Sequence, residues 1–222
     1  MFYSQDKQDK YLEENVFKGY KKGFYVDVGA HDGISFNNTL YFSNNNNWTG
    51  INIEPIKKVF DKLVINRPTD INLNCAISNI IGISEFYDSV IKNGTCGQEM
   101  LSGLKDNYDP RHLQRLNDEI KKHGGYVNII NINVQTIESI CDKYNIKHIN
   151  YLSIDVEGAE FEVIKSINFD KVFIDVIGFE NNYNNVSTPI IKYLEDKKFI
   201  IIYQSLDIFM IHKDSSFYPL KI

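Results

Sequence analysis

The chain has few of the features that mark disulfide-framed or membrane-spanning proteins. Its 222 residues contain three cysteines, Cys75, Cys96 and Cys141, which lie far apart and form no C-x-x-C pair. An odd number of distant cysteines argues against a disulfide framework. No apolar run approaches the length of a membrane-spanning helix, and the first ten residues are too polar for a signal peptide. We therefore expect no membrane partner and a reducing compartment such as the cytoplasm.

Positive charge is also scarce. The chain has 24 Lys and Arg against 29 Asp and Glu, a formal net charge of −5. Such a chain lacks the broad cationic field that attracts nucleic acids. Its short basic runs, Lys121–His123 and Lys197-Lys198, are typical of solvated surface. The charge thus argues against a nucleic-acid partner, while 43% hydrophobic residues indicate a folded domain with a sizeable core.

Short β-branched and aromatic runs alternate with segments of helical period along the chain. The predicted strands are 24–28, 48–54, 71–77, 82–89, 126–134, 148–155, 171–179, 199–203 and 206–212. The predicted helices are 35–45, 56–65, 110–122, 137–144, 159–167 and 189–196. This alternation predicts an α/β fold with a mostly parallel seven-stranded sheet and helices on both faces. The last two strands predict a C-terminal β-hairpin.

One segment departs from this alternation. Residues 92–125 contain several glycines and Pro110, with a polar helix predicted over 110–122. We interpret 92–125 as an insertion, or lid, over the active-site face. Neither an internal repeat nor a linker is evident, so residues 1–222 are expected to form a single domain.

The ligands of open α/β sheets bind beyond the carboxyl ends of the strands, so polar strand ends are the candidate sites. The first is the loop Asp27–Gly33, Asp-Val-Gly-Ala-His-Asp-Gly. Its glycines, Gly29 and Gly33, let the backbone turn and approach a ligand closely. The loop is not a G-x-G-x-x-G motif, and a simple strand-to-helix turn is the alternative. His31 is a minor candidate for a proton carrier, since a lone loop histidine is more often a plain hydrogen-bonding residue.

The second candidate is Glu54-Pro55, at the end of the next strand. Glu54 lies 21 positions after Gly33. Dinucleotide-binding folds place an acid about this far beyond the glycines, because a carboxylate accepts hydrogen bonds from both ribose hydroxyls. Together the loop and the acid predict an adenosine-type cofactor. They do not distinguish NAD from S-adenosylmethionine.

The third candidate is Asn74–Ile77, at the end of the strand predicted over 71–77. Its small and apolar side chains, Cys75, Ala76 and Ile77, are suited to packing against an adenine ring. Cys75 taken alone is better explained as a buried core residue than as a nucleophile.

The fourth candidate is Ser153–Glu160, which leaves a strand where it meets a turn. Extended geometry aims Asp155 and Glu157 the same way. Close carboxylates can act as a general acid/base pair or bind a cation. The alternative is capping of the following helix, which suits Glu160 better than Asp155. Glu180 ends another strand and brings a further carboxylate to the same rim.

Other catalytic signatures are missing from the sequence. The histidines at 112, 123, 148 and 212 show no metal-ligand spacing, and neither a serine nucleophile elbow nor a Walker lysine motif is present. We predict no dedicated metal site. A divalent cation held by Asp155, Glu157 and Glu180 is the lower-ranked alternative, because carboxylates suit Mg²⁺ and Ca²⁺.

Together these strand ends resemble the FkbM family of S-adenosylmethionine-dependent methyltransferases. The resemblance rests on residues 4–11, 23–33, 38–42, 48–55, 151–160 and 179–181, which in order and spacing cover most of the chain. The D-V-E-G-A-E block is specific when combined with the upstream D-V-G-A and E-P blocks. The chain departs from many relatives at Ser153, where they carry lysine.

The resemblance implies a Rossmann-like class I methyltransferase fold, S-adenosylmethionine as cofactor and an oxygen acceptor, often a hydroxyl of a sugar or another secondary metabolite. It implies that the glycines line the methionine side, that Glu54 holds the ribose, and that Asp155 lies near the transferred methyl group. The expected cofactor-binding residues are Asp27, Gly29, Ala30, His31, Gly33, Asn38, Thr39, Glu54, Pro55, Cys75, Ala76, Ile77 and Asp155. The expected catalytic residues are Asp155, Glu157, Glu180 and His31.

Two other functions stay open at this point. A nucleotide-cofactor oxidoreductase is disfavoured by the missing third glycine of its loop motif. A non-catalytic binding module that retains the fold is disfavoured by the intact acids. The sequence indicates neither the identity of the acceptor nor the oligomeric state.

Overall fold

A computed structural model describes residues 1–92, 100–181 and 184–219. The first part of the chain forms α1 (Gln8–Leu12), a π-helical turn (Glu13–Phe17), β1 (Phe24–Val28), α2 (Leu40–Asn46), β2 (Thr49–Ile53), α3 (Lys57–Asn66), β3 (Ile71–Leu73), β4 (Ala76–Ile77) and β5 (Gly82–Ile91). The second part forms β6 (Gly103–Leu104), a 3₁₀ turn (Lys105–Asn107), α4 (Pro110–His123), β7 (Gly125–Gln135), α5 (Ile137–Tyr144), β8 (His148–Ile154), α6 (Glu160–Lys165), β9 (Phe173–Glu180), α7 (Asn184–Asp196), β10 (Phe199–Gln204) and β11 (Asp207–His212).

The main sheet has seven strands in the order β10-β11-β9-β8-β1-β2-β3. The pairings from β9 to β3 are all parallel, whereas β11 runs antiparallel to both β9 and β10. The α/β class is therefore confirmed, but the prediction of one mostly parallel sheet needs correction, because the sheet is mixed. The direction changes at β10–β11, where a short turn at Ser205-Leu206 reverses the chain into the antiparallel C-terminal pair.

A second sheet of four strands, in the order β4-β7-β5-β6, was not predicted. Its centre is the long antiparallel pair β5–β7, in register from Gly82↔Val134 to Ile91↔Gly125. The strand predicted over 71–77 is divided between the two sheets as β3 and β4. Between them, Asn74 Nδ2 donates to the carbonyl oxygens of Glu54 and Pro55, at 2.8 and 2.9 Å. These bonds hold the chain in a turn and end the pairing with β2.

The helix predicted over 35–45 begins only at Leu40. Phe36 has a left-handed backbone, with φ of 53°, which a helix does not accommodate. Asn37 lies two residues before the N-cap Thr39, and its Oδ1 accepts from the backbone N–H groups of Thr39 and Leu40, at 3.0 and 2.8 Å. The residues before Leu40 are thus a loop that follows β1 rather than a helical turn.

Two buried clusters lie on opposite faces of the main sheet. Alternate residues of β1 separate between them, with Val26 in one cluster and Tyr25 in the other, as the two-residue period of a strand requires. Helices α5, α6 and α7 supply the first cluster, and α1, the π-helical turn and α2 supply the aromatic second one. None of the helices in the described ranges is long and apolar enough to cross a membrane.

The predicted insertion at 92–125 connects β5 to β7 and includes β6, the 3₁₀ turn and α4. Its residues 93–99, with Cys96, lie outside the described residues. Cys75 and Cys141 are buried free thiols. The helix α4 begins at Pro110 after Asp109, whose side chain accepts from the Arg111 backbone N–H, and this arrangement is typical of a capped helix start.

Candidate active site

A cavity of about 430 Å³ opens at the carboxyl ends of the parallel strands. The strand ends of β1, β2, β8 and β9 bring most of the predicted site residues to its wall. Those that line it are Asp27, Gly29, Ala30, His31, Asn38, Glu54, Pro55, Cys75, Ala76, Ile77, Asp155, Glu157 and Glu180. Two predicted cofactor residues, Gly33 and Thr39, are not on that wall and lie behind it.

The glycine loop crosses between the ends of β2 and β8. Gly29 has φ of 88°, and a Cβ built on it would lie 1.8 Å from the carbonyl oxygen of Asp155. The backbone N–H groups of Gly29 and Ala30 both donate to the carbonyl oxygen of Ile53, at 3.0 Å. The loop therefore needs glycine for its backbone conformation and for its approach to β8, which together place it in the cavity wall.

A layer of buried polar side chains supports the loop from behind. Asp27 accepts hydrogen bonds from Asn37 Nδ2 at 2.9 Å and from Thr39 Oγ1 at 2.8 Å. Burial raises the pKa of the Asp27 carboxyl, and these two hydrogen bonds oppose the rise. Thr39 therefore orders the loop, because its hydroxyl is turned to Asp27 rather than to the cavity.

Arg67, which sequence reasoning missed, ties this layer together. It is 3% exposed and donates to the carbonyl oxygen of Gly33 at 3.2 Å, to Asn37 Oδ1 at 3.1 Å and to Asp70 Oδ2 at 3.0 Å. A Cβ on Gly33 would lie 2.7 Å from the Arg67 side chain. Gly33 thus makes room for the arginine that holds the loop, and this explains why it lies behind the cavity wall. Nothing local to Arg67 in the sequence signals this role.

The second strand end presents Glu54 to the cavity. Glu54 is 5% exposed, and its Oε1 accepts from the backbone N–H of Ile56 at 2.8 Å. This bond orients the carboxylate at the turn before α3. Next to it, burial raises the pKa of the Cys75 thiol to about 11. Cys75 is 2% exposed, which agrees with the buried core residue that the sequence suggested.

Three acids meet at the ends of β8 and β9. One carboxylate oxygen from each of Asp155, Glu157 and Glu180 lies within 4.8 Å of the others, so the group could hold a cation. Asp155 is open to the cavity, and the carboxylates of Glu157 and Glu180 lie beside it. Burial, and then the charge of Glu157, raise the pKa values of Asp155 and Glu180 well above those of free carboxyls. Ionising all three acids at once is therefore unfavourable.

Glu160, by contrast, serves the backbone. It is 3% exposed and its Oε1 accepts from the Gly158 N–H at 3.0 Å, at the start of α6. This matches the helix-capping alternative for this acid.

His31 has φ of 50° and its Nδ1 lies 3.7 Å from Asp32 Oδ1. Burial would raise the pKa of Asp32, but the nearby His31 ring and hydrogen bonds from the backbone N–H groups of Ile34 and Ser35 outweigh it and lower that pKa.

Two further contacts at the cavity join residues far apart in the chain. His112 Nε2 of α4 lies 2.8 Å from Glu157 Oε2, and Gln8 Nε2 of α1 donates to Asp207 Oδ2 at 2.6 Å. Burial raises the pKa of Asp207 to about 6. Sequence reasoning missed these pairs, since neither histidine spacing nor a local motif links their members.

Comparison with known proteins gives one similar fold and one matching family. The fold is similar to that of the crystal structure of Methyltransferase FkbM from Methylobacillus flagellatus KT, with a TM-score of 0.51 and 14% identity over 87% of this chain and 44% of that chain. This chain thus spans less than half of that protein's length. Residues 27–201 match the model of the Methyltransferase FkbM domain. The chain belongs to the FkbM methyltransferase family.

A second solved structure, of a putative rRNA-methylase from Clostridium thermocellum, is similar over 95% of this chain and 96% of that chain, with a TM-score of 0.44 and 10% identity. The comparison with curated proteins gives no match.

Proposed function

We propose that this chain transfers a methyl group from S-adenosylmethionine to a hydroxyl of a sugar, a glycan or another small metabolite. The observation that carries the proposal is a single cavity at the strand ends. It combines the glycine loop, a ribose-type carboxylate at Glu54 and the group of Asp155, Glu157 and Glu180. Family membership supports methyl transfer in general. The identity of the cofactor and the class of acceptor are what we propose in addition.

The cavity suits this cofactor in size and in chemistry. Its volume of about 430 Å³ falls within the range of roughly 300–1,000 Å³ for small-molecule sites. Asn38 Oδ1 is a buried acceptor with no hydrogen-bond donor among the described residues, so a ligand N–H or O–H can satisfy it. Glu54 can accept from a ribose diol, and Ala76 and Ile77 offer apolar contact to an adenine ring.

When bound, S-adenosylmethionine supplies a methyl group on a sulfonium that carries its own leaving group. The residues of the chain then align the acceptor oxygen and remove its proton. Alignment contributes roughly 7–11 kcal/mol in well-oriented model systems, and a general base adds about 10²–10⁴-fold. We assign the base to Asp155 or Glu157. Both line the cavity, and the carboxylates beside Asp155 raise its pKa and so favour its uptake of a proton.

Calorimetric titration with S-adenosylhomocysteine and with NAD tests the cofactor. We expect binding of S-adenosylhomocysteine and none of NAD, whereas the reverse would make the chain a nucleotide-cofactor oxidoreductase. Transfer of a labelled methyl group to a panel of methyl glycosides and glycans then tests the acceptor. Binding without transfer to any of the panel would favour a non-catalytic module or a different acceptor class.

Matched substitutions test the assignment of the base. Asp155→Asn and Glu157→Gln remove one carboxylate each without changing the side-chain size. We expect at least one to lose turnover by about 10²-fold or more, with binding of S-adenosylhomocysteine retained. Near-wild-type turnover in both variants would remove the carboxylate base from the mechanism.

A cation held by the same three acids is the second candidate, favoured by the 4.8 Å grouping of their oxygens. It differs from the first in its response to a chelator. Turnover that falls on chelation and returns with Mg²⁺ would support the cation, and chelator-insensitive turnover would exclude it.

A further inference from the structure

The acidic turn after β8 packs directly against the segment that precedes and begins α4. A Cβ on Gly158 would lie 3.1 Å from the carbonyl oxygen of Asn107. On the other side, a Cβ on Gly103 would lie 2.9 Å from the Tyr108 ring and 3.4 Å from the carbonyl oxygen of Glu157. The backbones of the two segments are therefore in close contact around Glu157, with glycines at the points of closest approach.

Glu157 itself has a backbone conformation that its own residue type does not favour. Its φ is 57°, in the left-handed region where a Cβ crowds the backbone. A non-glycine residue retains such a conformation only where its surroundings hold it. The surroundings here are the packed segment 103–112, and the conformation sends the Glu157 side chain into the cavity wall.

His112 is the side chain that meets this carboxylate. Its side chain is 1% exposed, and its Nε2 lies 2.8 Å from Glu157 Oε2, although the two atoms are not aligned as a regular hydrogen bond. The ring of Tyr108 packs edge-on to the imidazole, with centroids 5.0 Å apart, and the Tyr108 hydroxyl donates to the carbonyl oxygen of Leu101. His112 is thus fixed from behind and faces Glu157.

We propose that His112 is a positioning residue that holds the Glu157 carboxylate toward the methyl-transfer centre. The stretch 102–115, which carries His112, also lines the cavity through Ser102, Leu104 and Arg115. A stretch that lines the cavity therefore also orients an acid of the proposed reaction. This inference rests on the proposed function, because it assigns the orientation of one acid within that site.

The test uses two cofactor analogues and needs no acceptor. Sinefungin carries a protonated amine where S-adenosylmethionine carries its methylsulfonium, and S-adenosylhomocysteine has only a thioether there. A carboxylate held at the reacting centre favours sinefungin by roughly tenfold or more, the effect of a charged hydrogen bond. Calorimetry gives the ratio of the two dissociation constants for each variant.

Two polar replacements of His112 test whether the side chain must reach the Glu157 carboxylate or only fill its space. The amide of His112→Gln reaches about as far as Nε2, whereas that of His112→Asn falls short. We expect His112→Asn to lose the sinefungin preference, as Glu157→Gln does, and His112→Gln to keep most of it. The double variant His112→Asn/Glu157→Gln should lose no more than Glu157→Gln alone, because His112 acts through Glu157.

His123→Asn is the matched control. It changes a histidine of the same helix whose acidic partner is Glu119, at 3.6 Å, and the sinefungin preference should persist. Equal preference in His112→Asn and the wild type would overturn the proposal, as would a wild type without any preference. Failure of the wild type to bind either analogue would instead overturn the proposed function.

Discussion

Gly29 and Asp155 approach so closely that a Cβ on the glycine would lie 1.8 Å from the aspartate carbonyl oxygen. The Asp155 N–H also donates to the carbonyl oxygen of Val28 at 2.9 Å. The glycine loop and the acidic turn are therefore parts of one wall, joined by backbone contacts. A ligand bound by the loop, as we propose, would for this reason lie beside the acids.

This contact predicts that Gly29→Ala disrupts the site. The left-handed backbone costs about 1–2 kcal/mol for alanine, and the collision adds about 1–3 kcal/mol. We expect a loss of about 2–5 kcal/mol in the free energy of unfolding by urea denaturation, with weakened binding of S-adenosylhomocysteine. Gly19→Ala is the control, because Gly19 has φ of 80° with nothing within 4 Å of its Cβ position. Comparable losses in the two variants would contradict the role of the contact.

Arg67→Met should be strongly destabilising. Removing one partner of a buried ion pair leaves Asp70 uncompensated and costs about 3–5 kcal/mol. The Gly33 carbonyl oxygen also loses its arginine donor, and Asn37 Oδ1 loses one of its donors. Arg111→Met removes an arginine from a half-exposed pair with Asp109 and should cost about 1 kcal/mol or less. Thermal and urea unfolding measure both. A difference of less than 1 kcal/mol between the variants would show that the Arg67 network contributes little.

If Glu54 accepts from the ribose hydroxyls, as we propose, Glu54→Gln should weaken S-adenosylhomocysteine binding by roughly tenfold or more, since a charged acceptor is lost. The amide oxygen can still accept from the Ile56 N–H, so stability should change little. An analogue without the 2′-hydroxyl should bind Glu54→Gln and the wild type more equally. Glu85→Gln, at a half-exposed residue paired with Lys105, is the control. Full affinity in Glu54→Gln would remove this acid from ribose binding.

Asp207 predicts a pH dependence of stability. Its pKa is raised from 3.8 to about 6 by burial, so the folded chain binds more protons than the unfolded one between these pH values. Stability from this group is present below pH 4 and is lost as the pH rises through 6. The free energy of unfolding of Asp207→Asn, measured relative to that of the wild type, should therefore rise by about 1–3 kcal/mol when the pH is raised from 4 to 7.5.

Urea denaturation at the two pH values checks this prediction. Asp214→Asn is the comparison, because Lys198 lowers the pKa of Asp214 below 3.8. Its stability difference from the wild type should therefore change little between pH 4 and pH 7.5. A stability difference between Asp207→Asn and the wild type that does not change with pH would contradict a raised pKa at Asp207.

Local patterns were sufficient for most elements of the fold. The segments that form β1, α5 and β8 each have a clear hydrophobic period and residues that end the element. Helix α5 begins and ends where it was predicted, at Ile137 and Tyr144. The second sheet was missed because β5 pairs with β7 across an intervening segment of over thirty residues, and no local pattern names that partner. The division of 71–77 depends on the Asn74 bonds to another strand end.

In the candidate site, too, some features follow from short stretches of sequence and others only from the tertiary structure. The sequence alone determined which residues stand at the strand ends, from Gly29 and Glu54 to Asp155 and Glu180, because glycine, strand period and the parallel α/β rule act over short stretches. Only the tertiary structure decided what those residues touch. Arg67 behind Gly33, and His112 against Glu157, bring together side chains from separate elements, and the packing of those elements, not spacing along the chain, determines their partners.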